Sequence, residues 1–323
     1  MGTWRRICGI ILPRRAGTQY SGLIAPAPVE DVRVLSSAAM ASLPSVVRLV
    51  IFDLDGVVYR GAEPVPGAAD LVDWLHAEGV LVRFATNNSM VARAGYVERL
   101  AAMGIRTIAE EIVTSTSATV AHLALHAPEV RSVMAVGADD MREDLAAAGL
   151  EVVMAGEAAP TAYLGQPLDR SYDAVIVGLD PQLDYRRLAV AMTAVSSGAR
   201  LIATNADARY PTRAGFLPGA GSIVAALATA TGVTPQVIGK PAPGMFEAIL
   251  ESSGVPHEHA VVVGDNPAAD VVGAHRAGCA AILVLTGVAT LAVADALEGE
   301  ARPDAVAPDP AGVRALLEGR LSR

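Results

Sequence analysis

The chain has 323 residues, 52% hydrophobic and 18% charged, with a formal net charge of −9. That length holds two domains or one large one, with enough apolar content for a sizeable core. The acidic balance argues against nucleic acid and anionic membrane surfaces, which recruit basic patches. Cys8 and Cys279 are too few and too far apart for a disulfide framework or a thiolate metal site, which fits a reducing cytoplasm.

In chain order, residues 1–45 form a leader unlike the rest. Arg5-Arg6 and Arg14-Arg15 flank a short apolar stretch at 7–12, too brief for a secretory signal. It reads as a disordered extension, or as sequence upstream of a true start at Met40. Residues 47–53 then form an apolar, β-branched run that ends in Asp53-Leu54-Asp55-Gly56, the pattern of a buried strand entering a turn. Pro66-Gly67 opens a helix with Leu71, Trp74 and Leu75 on one face, closed by Gly79; Trp74 is expected in the core. A second strand at 80–85 runs into Thr86-Asn87-Asn88-Ser89. A helix carrying Tyr96, Val97 and Leu100 follows and stops at Gly104. Further strand-like runs lie at 132–136, 174–177, 201–203, 237–238, 260–263 and 281–285. Strands separated by helix-sized segments indicate βαβ units and a parallel sheet. The uncharged stretches 214–239 and 277–294 divide into strand, turn and helix rather than spanning a bilayer. Cys279 reads as a small buried hydrophobe. In His257-Glu258-His259 the neighbouring side chains are expected to face apart rather than to share a metal.

Four polar clusters end or follow apolar runs: Asp53-Leu54-Asp55, Thr86-Asn87-Asn88-Ser89, Gly239-Lys240-Pro241, and Gly264-Asp265-Asn266 with Asp270 beyond. Each has a plain structural reading as a turn, a helix cap or a loop lysine. In an open parallel sheet, however, the carboxyl ends of neighbouring strands converge on one crevice. Carboxylates, an ammonium, a hydroxyl and amides gathered there make a cation site beside an anion site. A phosphoryl group needs that set: a divalent cation, a fixed positive charge, and donors around its oxygens. A carboxylate can also attack phosphorus. There is no GxxxxGK[ST] loop to suggest an NTPase, and Gly219-Ala220-Gly221-Ser222 does not match GxSxG.

Taken in order, Phe52-Asp53-Leu54-Asp55-Gly56-Val57, Thr86-Asn87-Asn88-Ser89, Gly239-Lys240-Pro241 and Gly264-Asp265-Asn266…Asp270 resemble the four motifs of the haloacid dehalogenase-like phosphohydrolases. Ala203-Thr204-Asn205-Ala206-Asp207 and Leu217-Pro218-Gly219-Ala220-Gly221-Ser222 resemble subclass IIA, the branch with nitrophenylphosphatases and with phosphoglycolate, glycerol-3-phosphate and nucleotide phosphatases. The resemblance covers about residues 47–290. It implies an α/β fold: a Rossmann-like, doubly wound parallel-sheet core at 46–127 and 236–323, with an inserted α/β cap at 128–235 bounded near Pro128 and Pro235. It also implies roles. Asp53 is matched to the nucleophile, and Asp55 to the acid that protonates the leaving alkoxide and then the base that activates water. Thr86, Asn87 and Asn88 are matched to phosphoryl binding, and Lys240 to neutralising the nucleophile and the phosphoryl group. Asp53, the Asp55 carbonyl and Asp265 are matched to Mg²⁺, with Asn266 and Asp270 as supports behind them. In the cap, Asn205, Asp207, Arg209, Arg213 and the 217–222 loop are the substrate-facing candidates.

The expected protein is a cytoplasmic, Mg²⁺-dependent phosphomonoesterase working through an aspartyl-phosphate. Its partner is a small phosphorylated metabolite, with glycerol phosphate and phosphoglycolate leading, and it forms a homodimer through the cap. Rival readings are a nucleotide monophosphatase, a phosphomutase, and a catalytically silent phosphometabolite-binding protein. Intact Asp53, Asp55 and Lys240 weigh against the last.

Overall fold

The computed structural model describes residues 43–158, 167–212 and 215–321. Arg213, Cys8 and all but the last three residues of the expected leader lie outside the described residues. Leu43, assigned to the leader, is buried in the core, and Arg320 donates to the Leu43 and Pro44 carbonyls.

Strand β1 (Leu49–Asp53) is apolar from Leu49 to Phe52, and all four of those side chains are buried. A strand buried on both faces reads as a continuous hydrophobic run, which is how this one reads in the sequence. The short hairpin β2 (Tyr59–Arg60) and β3 (Glu63–Pro64) follows it, and β4 (Leu81–Thr86) and β5 (Ile112–Thr114) extend the sheet on one side. A second sheet is then built from β6 (Ser132–Val136), β7 (Glu151–Met154), β8 (Ala174–Val177) and β9 (Arg200–Ala203). The antiparallel hairpin β10 (Arg209–Thr212) and β11 (Gly215–Pro218) comes next, then the edge strand β12 (Gln236–Val237) of the second sheet. Strands β13 (Ala260–Gly264), β14 (Ala280–Val284) and β15 (Ala305–Ala307) complete the first sheet.

The first sheet has the order β15-β14-β13-β1-β4-β5 and the second β12-β9-β8-β6-β7, and every pairing in both is parallel. Both sheets share one apolar core. The helix Ser115–His126 packs on the helices Gly244–Ser253 and Asp139–Ala147. Through its Ala118 and Leu123, a single cluster runs from Leu49 and Ile51 of the first sheet to Val133, Ile176 and Ile202 of the second. Thr114 starts that helix, accepting from the Ser117 N–H at 3.1 Å while its own N–H goes to Ser117 Oγ at 3.0 Å.

Three strands of the two parallel sheets escape the periodicity reading. β5 and β15 have three residues each and β7 has four, of which only Val152, Val153 and Met154 are apolar. The parallel rhythm therefore continues to residue 307, past the expected limit near 290. Residues 236 and 237, placed in the core by the junction at Pro235, pair instead with Ile202 and Ala203 of the second sheet. Trp74 is partly buried against the core, with the Arg314 guanidinium 4.8 Å from its ring centroid, and Cys279 is buried. His257 donates to the Gly278 carbonyl and His259 to the Val46 carbonyl, so the two rings point to different neighbours. Among the described residues, no helix is long and apolar enough to cross a membrane.

Ile51 is fully buried at the centre of β1 and bridges to the cluster shared by both sheets. Ile51→Ala should lower the unfolding free energy by about 3 kcal/mol and Ile51→Val by about 1 kcal/mol. Urea unfolding followed by circular dichroism measures both, and equal values for the two variants would contradict this packing.

Candidate active site

The register of the first sheet assembles the site. Asp53 ends β1 and lies beside Ala85 of β4, which is followed at once by Thr86. On the other flank Phe52 pairs with Val263, so Gly264 and Asp265 emerge at the same carboxyl edge. The chain leaves β1 toward β4 on one side and returns as β13 on the other. That reversal is where open parallel sheets hold ligands.

Lys240 is the hub. It is 3% exposed, and its ammonium donates to Asp53 Oδ1, to Asp270 Oδ1 at 2.8 Å and to the Ala85 carbonyl at 3.1 Å. An ammonium has three N–H donors, and all three are engaged. Burial alone would lower its pKa, but Asp270 and Asp53 outweigh that and hold it charged. Asp270 is buried and uses its second oxygen to accept the Asn266 N–H at 3.0 Å, while Asn266 Oδ1 caps the next turn by accepting the Ala268 N–H at 3.1 Å. Asp270 thus ties the ammonium to the turn that carries Asp265.

Asp53, Asp265 and Asp270 each place a carboxylate oxygen within 4.8 Å of the others. Burial raises the Asp53 carboxyl well above the usual range, Lys240 opposes it, and Asp270 and Asp265 push the same way. Burial, then Asp270, pushes Asp265 up to about 6, against the Val288 N–H donated to its Oδ2 at 2.7 Å. Three carboxylates around one ammonium leave an excess of negative charge. The donors are all hard oxygens, the set that suits Mg²⁺ and excludes a soft metal.

Two glycines shape the pocket around Asp265. A Cβ on Gly56, whose φ is +86°, would lie 2.3 Å from Asp265 Oδ2, and one on Gly287 would lie 1.8 Å from it. The Thr286 hydroxyl donates to the Gly56 carbonyl at 2.6 Å and locks the two turns together. Sequence reasoning missed Thr286, Gly287 and Val288. Their signal was position, since they follow β14 at the edge where the other clusters lie.

Asp55 is exposed two residues past the end of β1, with the Tyr59 hydroxyl donating to it at 3.4 Å. The surrounding protein raises its carboxyl, opposed by Arg99, whose guanidinium lies 3.8 Å from the Tyr59 ring centroid. Thr86 is buried, and its Oγ1 accepts the Asn88 N–H at 3.2 Å. Asn88 Oδ1 in turn accepts the Met90 N–H at 2.9 Å. Asn87 directs its side-chain amide to the Lys240 carbonyl at 2.8 Å and to Asp207 at 3.1 Å, so any contact it makes with a bound phosphoryl group falls to its main chain.

The second sheet grips this loop. The Asn87 carbonyl accepts from Asn205 Nδ2 at 2.7 Å and from Ser115 Oγ at 2.8 Å. Asn205 is buried, and its Oδ1 accepts the Asp207 N–H at 3.1 Å. Burial raises the Asp207 carboxyl against the hydrogen bond from Asn87. Asn205 and Asp207, expected to face substrate, are here directed at Asn87. Ser89 is buried and accepts the Leu179 N–H at 2.9 Å, a further tie that the sequence did not reveal. Arg209 lies over the Phe216 ring on the exposed β10–β11 hairpin.

Comparison with known proteins finds similar family profiles, sequences and structures. The profile described as haloacid dehalogenase-like hydrolase matches residues 50–151, and a second, HAD-hydrolase-like profile matches 237–312. The acid sugar phosphatase of Staphylococcus aureus (strain MRSA252) is 35% identical over 244 residues, 76% of this chain and 88% of that one. The glycerol phosphate phosphatase Rv1692 of Mycobacterium tuberculosis, solved with magnesium, superposes with a TM-score of 0.73 at 32% identity, covering 86% of this chain and 77% of that one. The 4-nitrophenylphosphatase of Thermotoga maritima gives 0.72 at 31% identity, covering 83% and 97%.

Lys240→Met removes the cation that, among the described residues, is bonded to the partly buried Asp53 and the buried Asp270, and should destabilise the protein by about 3–5 kcal/mol in urea unfolding. The Asp265 carboxyl, at about 6, lies above the ordinary carboxylate value near 4. Between those values the folded metal-free protein holds a proton that the unfolded chain has lost, so stability falls as pH rises through the window. Thermal unfolding of metal-free protein from pH 4 to pH 7 should show that fall, reduced in Asp265→Asn; an identical profile in the variant would refute it.

Proposed function

The chain belongs to the haloacid dehalogenase-like hydrolases, subclass IIA, and on that footing we propose that it is a divalent-metal-dependent phosphatase that hydrolyses a small phosphomonoester. The observation that carries the reading is the buried Lys240 ammonium shared by Asp53, Asp270 and the Ala85 carbonyl, beside the three-carboxylate cluster. Such a site sets a nucleophile, a fixed cation and a metal position within one phosphoryl group's reach.

Asp53 attacks phosphorus in line with the leaving oxygen, and an aspartyl-phosphate forms as the P–O bond to the substrate breaks. Asp55 protonates the departing alkoxide, then takes a proton from the water that attacks the aspartyl-phosphate and releases phosphate. The raised Asp55 carboxyl suits this exchange, because a general acid works best when its pKa approaches the working pH. Lys240 neutralises Asp53 and the phosphoryl oxygens, so two anions can meet. Thr86 and the main chain of the 86–88 turn supply donors to those oxygens. Asp53, the Asp55 carbonyl and Asp265 would hold Mg²⁺, which when bound neutralises phosphoryl oxygens as charge moves to the leaving group. Asp270 and Asn266 position Lys240 and the turn bearing Asp265.

In this reading residues 128–237 act as the cap. Asn205 and Asp207 brace the phosphate loop, and the β10–β11 hairpin faces the leaving group. A capped site selects small leaving groups and keeps bulk water out. Glycerol phosphate is our leading substrate, phosphoglycolate the next, and sugar phosphates belong to the same panel. The named activities of the M. tuberculosis and S. aureus relatives support a polyol or sugar leaving group.

A phosphate-release screen over small phosphomonoesters with Mg²⁺ tests this. Wild type should release phosphate and lose that activity with a chelator. Asp53→Asn should lower turnover by about 10⁴-fold or more, and Asp55→Asn by about 10²–10⁴-fold. Equal release by wild type and Asp53→Asn would refute the nucleophile. No release across the panel would favour a phosphometabolite-binding protein, and an isomerised, still phosphorylated product would indicate a mutase.

A further inference from the structure

The strand reversal that locates the catalytic crevice between β1 and β13 occurs again in the second sheet. There the chain goes from β6 to β7 on one side, and β8, β9 and β12 follow on the other. The rule that places ligands at the carboxyl ends of the strands flanking such a reversal applies equally to β6 and β8. A cavity of about 120 Å³ lies at that edge. It is lined by Gly137, Asp139 and Arg142 after β6, Gly156 after β7, Asp180 after β8, and Arg187.

The lining has a definite character. Asp180 is buried and accepts from Arg187 Nη1 at 2.9 Å through both oxygens, while Arg187 Nη2 donates to Gln182 at 2.9 Å. A guanidinium carries five N–H donors, so Arg187 has donors to spare. Arg142 pairs with Glu157, another lining residue. Asp139, Glu157 and Asp180 outnumber the two guanidiniums, which disfavours an oxyanion. Among the described residues these carboxylates form no metal-sized cluster. Hydroxyl groups fit both signs, since each accepts from a guanidinium and donates to a carboxylate. An acid at the end of a parallel strand takes a ribose diol in the same way.

We propose that this crevice is a second ligand site, that it takes a small neutral polyol or sugar, and that its occupancy is felt at the phosphate loop. The path is short. Leu179, next to Asp180, donates its N–H to Ser89 of the phosphate loop at 2.9 Å and accepts the Ala138 N–H at 3.2 Å. The binding half is independent of the catalytic reading; the coupling half rests on it.

The test titrates the full chain with erythritol, with glucose and, separately, with inorganic phosphate, following the Gly137 and Gly156 amides by NMR. Erythritol or glucose should shift them saturably, and Arg187→Met should weaken that binding about tenfold. Gly156→Val is the second variant, needed should Arg187→Met fail to fold. Its Cβ would meet Arg187 Nη2 at 3.0 Å, so it crowds the crevice with every charge in place, and it should weaken binding likewise. In parallel, the polyol should change the KM of wild type for its phosphomonoester about fivefold and leave Gly156→Val unaffected. No saturable shift, an undiminished shift in Gly156→Val, or a shift with phosphate alone overturns the site. Saturation with an unchanged KM overturns the coupling only. A wild type that releases no phosphate defeats the catalytic reading and the coupling built on it, and leaves the NMR result to decide the site.

Discussion

A single buried ammonium organises the catalytic end of this protein. Lys240 reaches Asp53 at the end of β1, the Ala85 carbonyl at the end of β4 and Asp270 beyond β13, and so ties three separate segments together. Desolvation would discharge an isolated lysine there, and an isolated carboxylate would take up a proton. Each ion is tolerated because the others are present. The carboxylates nonetheless outnumber the ammonium, which leaves the cluster with an excess of negative charge. Removing Lys240 would therefore leave Asp53 and Asp270 without the cation they share.

That arrangement depends on parallel strands in register. With Asp53 beside Ala85 and Phe52 beside Val263, the polar residues that follow each strand have one direction in which to go. The close approach of Gly56 and Gly287 to Asp265 completes the geometry, because a side chain at either place would occupy the carboxylate's own volume. The loop at 86–89 is held from behind by a different sheet, through Asn205, Asp207 and Leu179. Since both sheets also share an apolar cluster, the second is built into the first rather than merely tethered to it.

Much of this was legible in the chain itself. The run from Leu49 to Phe52 announces a buried parallel strand, and Asp53, Thr86, Lys240 and Asp265 each stand where an apolar run stops. The strands β5, β7 and β15 were not legible, because runs of two or three apolar residues carry little signal. The direction of Asn205 and Asp207 was not legible either. A polar pair in a loop looks alike whether it faces a ligand or a neighbouring backbone, and only the approach of Asn87 across the sheets decides between them. Thr286-Gly287 read as a break in an apolar stretch, and its role at Asp265 depends on β14 lying beside β13.

The sequence by itself determined the strand-and-helix alternation, the residue types of the catalytic end and their order along the chain, because these follow from local periodicity and from chemistry confined to a few adjacent residues. The tertiary structure alone decided which carboxylate shares the ammonium with Asp53, which glycines wrap Asp265, and that a second strand reversal opens a second crevice. Those depend on strand order and on contacts between residues far apart in the chain, for which a single sequence carries no periodic or local mark.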